Sequence, residues 1–354
     1  MKNRTIGPIL KAILAAALFG ASAPISKLLL GEIAPTLMAS FLYLGSGIGL
    51  YLQRYFQSSD KRFNDEARLT RNDYPWLIGA VSVGGIAAPI MLMFSLKNTP
   101  ASTASLLLNF EGVATTVIAV LAFKEAVGKR IWMAVLLITM ASILLSWDSS
   151  GQWGFSLGAI GVLSACILWG IDNNFTRNVS SKDPLSIVII KGLSAGTFSL
   201  ILSLILGFPL PSFKFIFLAM VLGYFSYGLS IVLFIRAMRE LGSARTSALF
   251  GTAPFVGVAL SLLLFRENQG TLFLLSLPIM IMGAVFLLKE NHEHLHKHDT
   301  TEHEHRHNHS DSHHTHGHSD DEIPKNGYHS HVHKHDFLSH EHQHTPDIYH
   351  RHAH

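Results

Sequence analysis

Long apolar runs constrain this chain more tightly than any other feature. Ten of them occupy residues 8–30, 35–55, 74–95, 101–123, 131–147, 154–174, 185–206, 214–235, 244–265 and 271–288. A bilayer's hydrocarbon core needs roughly 20 apolar residues as helix, so each run reads as a transmembrane span. Small residues and proline interrupt several, as in Ala12–Pro24 and Gly79–Pro89. Such breaks are tolerated where neighbouring helices satisfy the freed backbone groups. Lys2 and Arg4 give the first run the look of a signal peptide. It exceeds a signal-peptide core, however, and has a counterpart later in the chain, so it reads as a retained helix. The connections are short, which leaves a compact bundle with one long appendix at the C-terminal end.

Composition agrees. Of 354 residues, 49% are hydrophobic and 14% charged, against about 25% charged in an average soluble domain. That excludes a soluble enzyme with a conventional charged surface, and equally a wholly disordered chain. Cys166 is the sole cysteine, which excludes a disulfide framework, a cysteine-based zinc site and an iron–sulfur cluster. Residues 1–290 carry 22 Lys and Arg against 13 Asp and Glu, a balance of +9. If the N-terminus is cytoplasmic and ten helices alternate, sixteen cations fall in inner segments: Lys2, Arg4, Lys11, Arg54, Lys61, Arg62, Arg68, Arg71, Lys124, Lys129, Arg130, Arg177, Lys182, Arg236, Arg239 and Arg245. Only Lys97, Lys214 and Arg266 fall outside. This bias predicts both termini in the cytoplasm. It accounts for the basic excess by topology, so no nucleic-acid partner is expected.

The body repeats itself. Ala122-Phe-Lys-Glu125 closes the fourth run and Leu264-Phe-Arg-Glu267 the ninth. The same offset pairs Ser105 with Ser247 and Leu107 with Leu249. Leu18-Phe-Gly20 matches Leu168-Trp-Gly170, and Pro35 matches Pro184. The expected fold class is therefore an all-α membrane protein of ten transmembrane helices in two five-helix repeats, 8–147 and 154–288. An odd number of helices per half makes the repeats inverted, the architecture of secondary transporters. A disordered cytoplasmic C-terminal tail, 291–354, follows.

These motifs resemble the EamA-type members of the drug/metabolite transporter superfamily over about residues 8–288. Ser105-Leu-Leu-Leu-Asn-Phe-Glu111 resembles that family's fourth helix, although Gly112 stands where proline commonly follows the glutamate. The ninth run keeps a proline at Pro254. The resemblance implies a proton- or gradient-driven carrier, often an exporter of small metabolites. It also implies a central cavity lined by spans one, three, four, six, eight and nine. It names no cargo.

Ionisable side chains at membrane depth are costly, which makes each one a candidate for function. Glu111 lies ten residues into the fourth run, and its counterparts break the symmetry: Ala253 matches Glu111, and Gly251 matches Asn109. Glu111 reads as a proton or substrate site, or as a packing carboxyl bonded to a neighbour such as Asn109. Asp172, Asn173 and Asn174 close the sixth run, and Lys191 lies two turns into the seventh. A short connection joins those runs, so Asp172 and Lys191 are placed to pair, as a structural clamp or as a substrate contact. Lys27 reads as a snorkelling end residue or a functional one. Trp76, Trp132, Trp147 and Trp153 read as interface anchors, and Cys166 as an inert buried thiol. The body holds no histidine and no phosphate-binding glycine loop with its lysine, so neither an enzyme nor an ATP-driven pump is expected.

All 22 histidines lie in the tail. They are His292, His294, His296 and His298; His303, His305, His307 and His309; His313, His314, His316 and His318; His329, His331, His333 and His335; His340, His342 and His344; and His350, His352 and His354. The dominant His-x-His spacing puts alternate imidazoles on one side of an extended chain. Imidazole suits zinc, nickel, cobalt and copper, so the tail is expected to bind divalent metal at several exchangeable sites. Titration near pH 6.5 makes a proton-responsive tail a second reading. No cofactor is required.

Three functions follow: a metabolite or drug-like solute exporter in a bacterial-type plasma membrane, a dedicated nickel, cobalt or zinc exporter fed by the tail, or a membrane-anchored metal store or sensor. The expected partners are the lipid bilayer and a small-molecule or metal substrate. A monomer and a homodimer are both compatible with the sequence.

Overall fold

The computed structural model describes residues 6–57, 67–123, 127–147, 156–179, 182–241, 246, 249–267, 269–288, 292–298, 301–308, 328–335 and 338–344. Trp153, Lys2, Arg4, Lys61, Arg62, Lys124, Glu125, Arg245 and Ser247 lie outside the described residues, as do His309, His313, His314, His316, His318, His350, His352 and His354.

Eight described helices are long and apolar enough to cross a membrane: Gly7–Leu29, Pro35–Phe56, Arg71–Lys97, Ala101–Ala122, Lys129–Ser146, Leu157–Arg177, Pro184–Ile205 and Phe213–Ala237. Two shorter apolar helices follow, Ala253–Phe265 and Thr271–Phe286. In the ninth run, expected from 244, a turn at Gly251–Thr252 precedes the helix Ala253–Phe265. Pro254 occupies its first turn, where the missing N–H costs nothing. Local chemistry fixes other boundaries too. Asp183 caps the seventh helix by accepting from the amides of Leu185 (3.1 Å) and Ser186 (3.3 Å), with Pro184 at the first position. Ser156 caps the sixth through the Ala159 amide at 3.3 Å.

Several spans are not single α-helices. The first breaks at Ala21, and the fourth breaks at Leu108–Asn109, just before Glu111. The third and eighth carry π-helical segments at Val81–Ala87 and Tyr224–Leu229. These two spans are matching members of the two halves, and each π segment sits mid-span. π turns concentrate at functional sites because they free backbone groups to bond elsewhere.

Glycine brings the halves together. The second and seventh spans share the most extensive contact between helices. A Cβ at Gly192 would lie 2.7 Å from the Gly47 amide nitrogen and 2.8 Å from the Tyr43 carbonyl oxygen. A Cβ at Gly196 would lie 2.6 Å from the Leu44 nitrogen, and the Ser40 hydroxyl donates to the Gly196 carbonyl at 2.8 Å. Close backbone approach of this kind supplies dispersion where lipid supplies no hydrophobic drive. Gly283 lets the tenth helix meet Ile138 of the fifth. Gly20 of the first faces Ala253 of the ninth, and Gly170 of the sixth faces Ala114 and Thr115 of the fourth. The core behind these seams includes Leu37, Met38, Leu42, Leu92, Met93 and Leu106, all fully buried. Large apolar side chains such as Leu14, Ile205, Leu263 and Leu274 are exposed, as a lipid-facing surface requires. So are Trp76, Trp132 and Trp147.

In the tail, for which the sequence predicts disorder, the described residues form four strands. Strands β1 (His292–His298) and β4 (Leu338–His344) pair antiparallel, as do β2 (Thr301–Asn308) and β3 (Tyr328–His335). The physical reason is periodicity: an every-second-residue pattern matches the two-residue repeat of a strand. Strand is confined to the tail, and the described body is all-helical.

The glycine seam is directly testable. Gly192→Val forces a side chain into backbone, and overpacking typically costs about 1–3 kcal/mol. Its melting temperature in detergent is expected to fall by several degrees. Gly7→Ala, where a Cβ meets nothing within 4 Å, is expected to melt with the wild type in the same thermal-shift assay.

Candidate transport site between the fourth and sixth spans

Glu111 stands in the first turn of the helix Phe110–Phe123, immediately after the break in the fourth span. Its Oε1 accepts a hydrogen bond from Asn173 Nδ2 at 2.9 Å. The same amide donates to Thr115 Oγ1 at 3.1 Å, while the Thr115 hydroxyl donates to the Glu111 carbonyl at 2.8 Å. One residue on, Asn174 Nδ2 donates to the carbonyls of Thr115 (3.1 Å) and Gly170 (2.8 Å). Two consecutive asparagines thus cross-link the fourth and sixth spans, which approach closely because position 170 is glycine. Asn173 is exposed and Glu111 partly so, while Asn174 is buried.

Asp172 is enclosed, at 4% exposure. Its Oδ2 pairs with Lys191 Nζ of the seventh span, and its Oδ1 accepts from the Thr176 hydroxyl at 3.0 Å. Gly84, within the π segment of the third span, makes room for the Asp172 carboxylate, and any Cβ there would collide with it. The Gly84 carbonyl accepts from both Tyr43 Oη (2.8 Å) and Trp169 Nε1 (3.0 Å). Both lone pairs are used, so the irregular turn is pinned from the second and sixth spans at once. Tyr43 also packs on Tyr227 of the eighth span, ring centres 5.5 Å apart, and Tyr227 on Phe19 of the first at 5.9 Å.

The structure therefore brings together four of the residues singled out from sequence, as two pairs: Glu111 with Asn173, and Asp172 with Lys191. Asn109 does not reach Glu111, because its amide donates to the Leu106 carbonyl at 3.0 Å in the broken turn. Lys27 belongs elsewhere, donating to the Leu96 carbonyl at 3.0 Å and to that of Thr99. Cys166 is buried, its thiol 3.7 Å from the Leu107 carbonyl. Sequence reasoning missed Tyr43, Thr115 and the binding role of Trp169. The Trp-Gly motif at 169–170 was the available signal, whereas nothing in sequence ties Tyr43 to a carbonyl 41 residues away. Among the described residues, no group of three or more His, Cys, Asp and Glu is placed to hold a metal ion.

Comparison with known proteins bears on the family and the fold. The chain matches the EamA-like transporter family twice, over residues 6–147 and 156–289. It is 28% identical over 297 residues to an uncharacterized transporter of Methanothermobacter thermautotrophicus, covering 79% of this chain and 85% of that one. It also superposes on a protein of known crystal structure with a TM-score of 0.58 and 14% identity, covering 79% of this chain and 95% of the other. That likeness concerns fold alone. With both halves matched, this multi-pass chain belongs to the EamA-like transporter family.

Proposed function

We propose that the chain is a gradient-driven secondary carrier that exports a small metabolite or drug-like solute, with proton coupling at Glu111. The observation that carries this is the Glu111–Asn173 pair. It joins a carboxylate and an amide, leaves Glu111 partly accessible, and lies where the fourth and sixth spans meet. Lys191 is engaged by Asp172, so the Glu111 carboxylate is free to exchange a proton or to meet a polar solute. Ten spans as two inverted five-helix repeats are supported by the pairing of matching members: second with seventh, fifth with tenth, and π segments in third and eighth. Binding between inverted repeats is the usual arrangement in such carriers. The plasma membrane with both termini cytoplasmic remains the orientation that the cation bias supports.

Reconstituted vesicles test the coupling. Glu111→Gln is expected to keep solute exchange across a panel of small metabolites while losing accumulation driven by a pH gradient. Gradient-driven transport that matches the wild type over a range of pH would refute proton coupling at this residue.

The Asp172–Lys191 pair reads as a clamp that holds the sixth and seventh spans. Removing one partner of a buried pair costs about 3–5 kcal/mol, because the other charge is stranded. Asp172→Asn alone is therefore expected to melt at a lower temperature than the double variant Asp172→Asn, Lys191→Met. The reverse order in a thermal-shift assay would assign the pair to substrate binding.

A second reading concerns the tail, which we propose binds divalent zinc, nickel, cobalt or copper. The strand register supports it, setting His292 opposite His344, His294 opposite His342 and His296 opposite His340. It also sets His303 opposite His333, His305 opposite His331 and His307 opposite His329. Alternate residues share a face, and opposite positions in an antiparallel pair lie about 5 Å apart. Replacing His340, His342 and His344 by Asn in the full chain is expected to weaken nickel or zinc binding about tenfold or more, as loss of a chelating partner does. Replacing His350, His352 and His354, outside these strands, is expected to have less than a third of that effect in equilibrium dialysis. A metal-export role is separable: cells expressing the whole chain, the chain cut after Lys289, or neither would differ in metal content only if metal is cargo.

A further inference from the structure

A second polar cluster lies at the end of the body where the third span connects to the fourth. Pro100 precedes the fourth span and offers no side-chain cap. The cap comes instead from the other family repeat. Glu267 Oε1 accepts from the Ala101 amide at 2.8 Å, and Oε2 accepts from the Ser102 amide at 3.1 Å and from the Ser102 hydroxyl. The turn that delivers Glu267 is unusual. Arg266 ends the ninth helix with φ 49° and ψ 38°, the one non-glycine residue in the left-handed region among the described residues. A side chain resists that conformation, so the turn is held at some cost. Gln269 steadies it by donating from Nε2 to the Glu267 carbonyl at 3.0 Å.

The same connection is gripped from its other side. Lys27, near the end of the first span, donates to the Leu96 and Thr99 carbonyls at the end of the third. Lys27, Lys97, Thr99, Glu267, Gln269 and Phe273 line one pocket of about 540 Å³ between these grips. The connection between the third and fourth spans is therefore tied by a cation through its carbonyls and by a carboxylate through its amides. The two ties come from the first and ninth spans. Glu111 lies nine residues beyond Ser102, roughly 13 Å along a helix at 1.5 Å per residue, so these ties sit between the Glu111–Asn173 pair and this face of the membrane.

We propose that Glu267 and Lys27 form a releasable latch that shuts the carrier on this face. A weld would be buried and dry, whereas Glu267 and Lys27 are only partly buried and border an open pocket. Water can therefore replace each bond as it breaks, which is what a gate that must open on every cycle requires. The inference rests on the carrier reading, since a latch has meaning only if the Glu111 site faces the two sides in turn.

The test needs no cargo. In a Cys166→Ser background, Asn109→Cys places a thiol in the broken turn beside Glu111, and a membrane-impermeant maleimide is applied to right-side-out and to inverted vesicles. Glu267→Ala is expected to raise labelling from the latch face by at least about fivefold and to lower it from the opposite face, as a shifted two-state equilibrium demands. Oxidising Ser102→Cys and Glu267→Cys to a disulfide with diamide, the excess oxidant being removed and the Asn109→Cys thiol shown to remain free in a chain without the other two cysteines, is expected to abolish maleimide labelling from the latch face until reductant is added. The linked form keeps the test valid if Glu267→Ala fails to fold. Labelling unchanged by both treatments, or changed equally from both faces, overturns the latch. Proton coupling through Glu111 is read separately by flux, so either idea can fail while the other stands.

Discussion

The close approach of the second and seventh spans is the contact on which the rest of the architecture depends. Gly47, Gly192 and Gly196 let two backbones meet with no side chain between them. Tyr43 lies on that seam and reaches the Gly84 carbonyl, and Lys191 lies one residue before Gly192. A larger residue at the seam would push Tyr43 away from the π segment and Lys191 away from Asp172. Three glycines therefore set the geometry of a polar site to which they contribute no side chain.

That site divides its charges by accessibility. Asp172 and Lys191 neutralise one another inside the bundle, with Thr176 satisfying the second carboxylate oxygen. Such a pair holds spans in register and is expensive to disturb. Glu111 sits where it is partly accessible and has a neutral amide as its hydrogen-bond donor. Here a change of protonation state leaves no opposite charge stranded. One carboxylate is enclosed and the other reachable, the difference on which the proposed clamp and the proposed proton site rest.

Much of this was legible beforehand, for identifiable reasons. Asp172 and Lys191 are 19 residues apart across a short connection, so two antiparallel helices had to bring them near each other. The choice between Asn109 and Asn173 as partner of Glu111 was not legible. Both are amides near the carboxylate in principle, but Asn109 is spent on the broken turn of its own helix. Asn173 arrives only because Gly170 lets the sixth span close on Ala114 and Thr115. The π segments were invisible for a similar reason. In the third span the extra residue in the turn survives because distant groups, Tyr43 and Trp169, donate hydrogen bonds to the Gly84 carbonyl. In the tail the alternating pattern is visible in the sequence, whereas the strand pairing of its described segments depends on residues about 50 and 30 positions apart.

By itself, then, the sequence determined the membrane spans, their duplication, the shortage of charge within them and the confinement of histidine to the tail. Apolar length, repetition and composition are properties of the chain alone. Which polar groups meet was decided by tertiary structure. Glu267 finding the amides of Ala101 and Ser102, and Asn173 finding Glu111, each depend on how closely two backbones can approach. That distance is set by helix packing, which no single segment encodes.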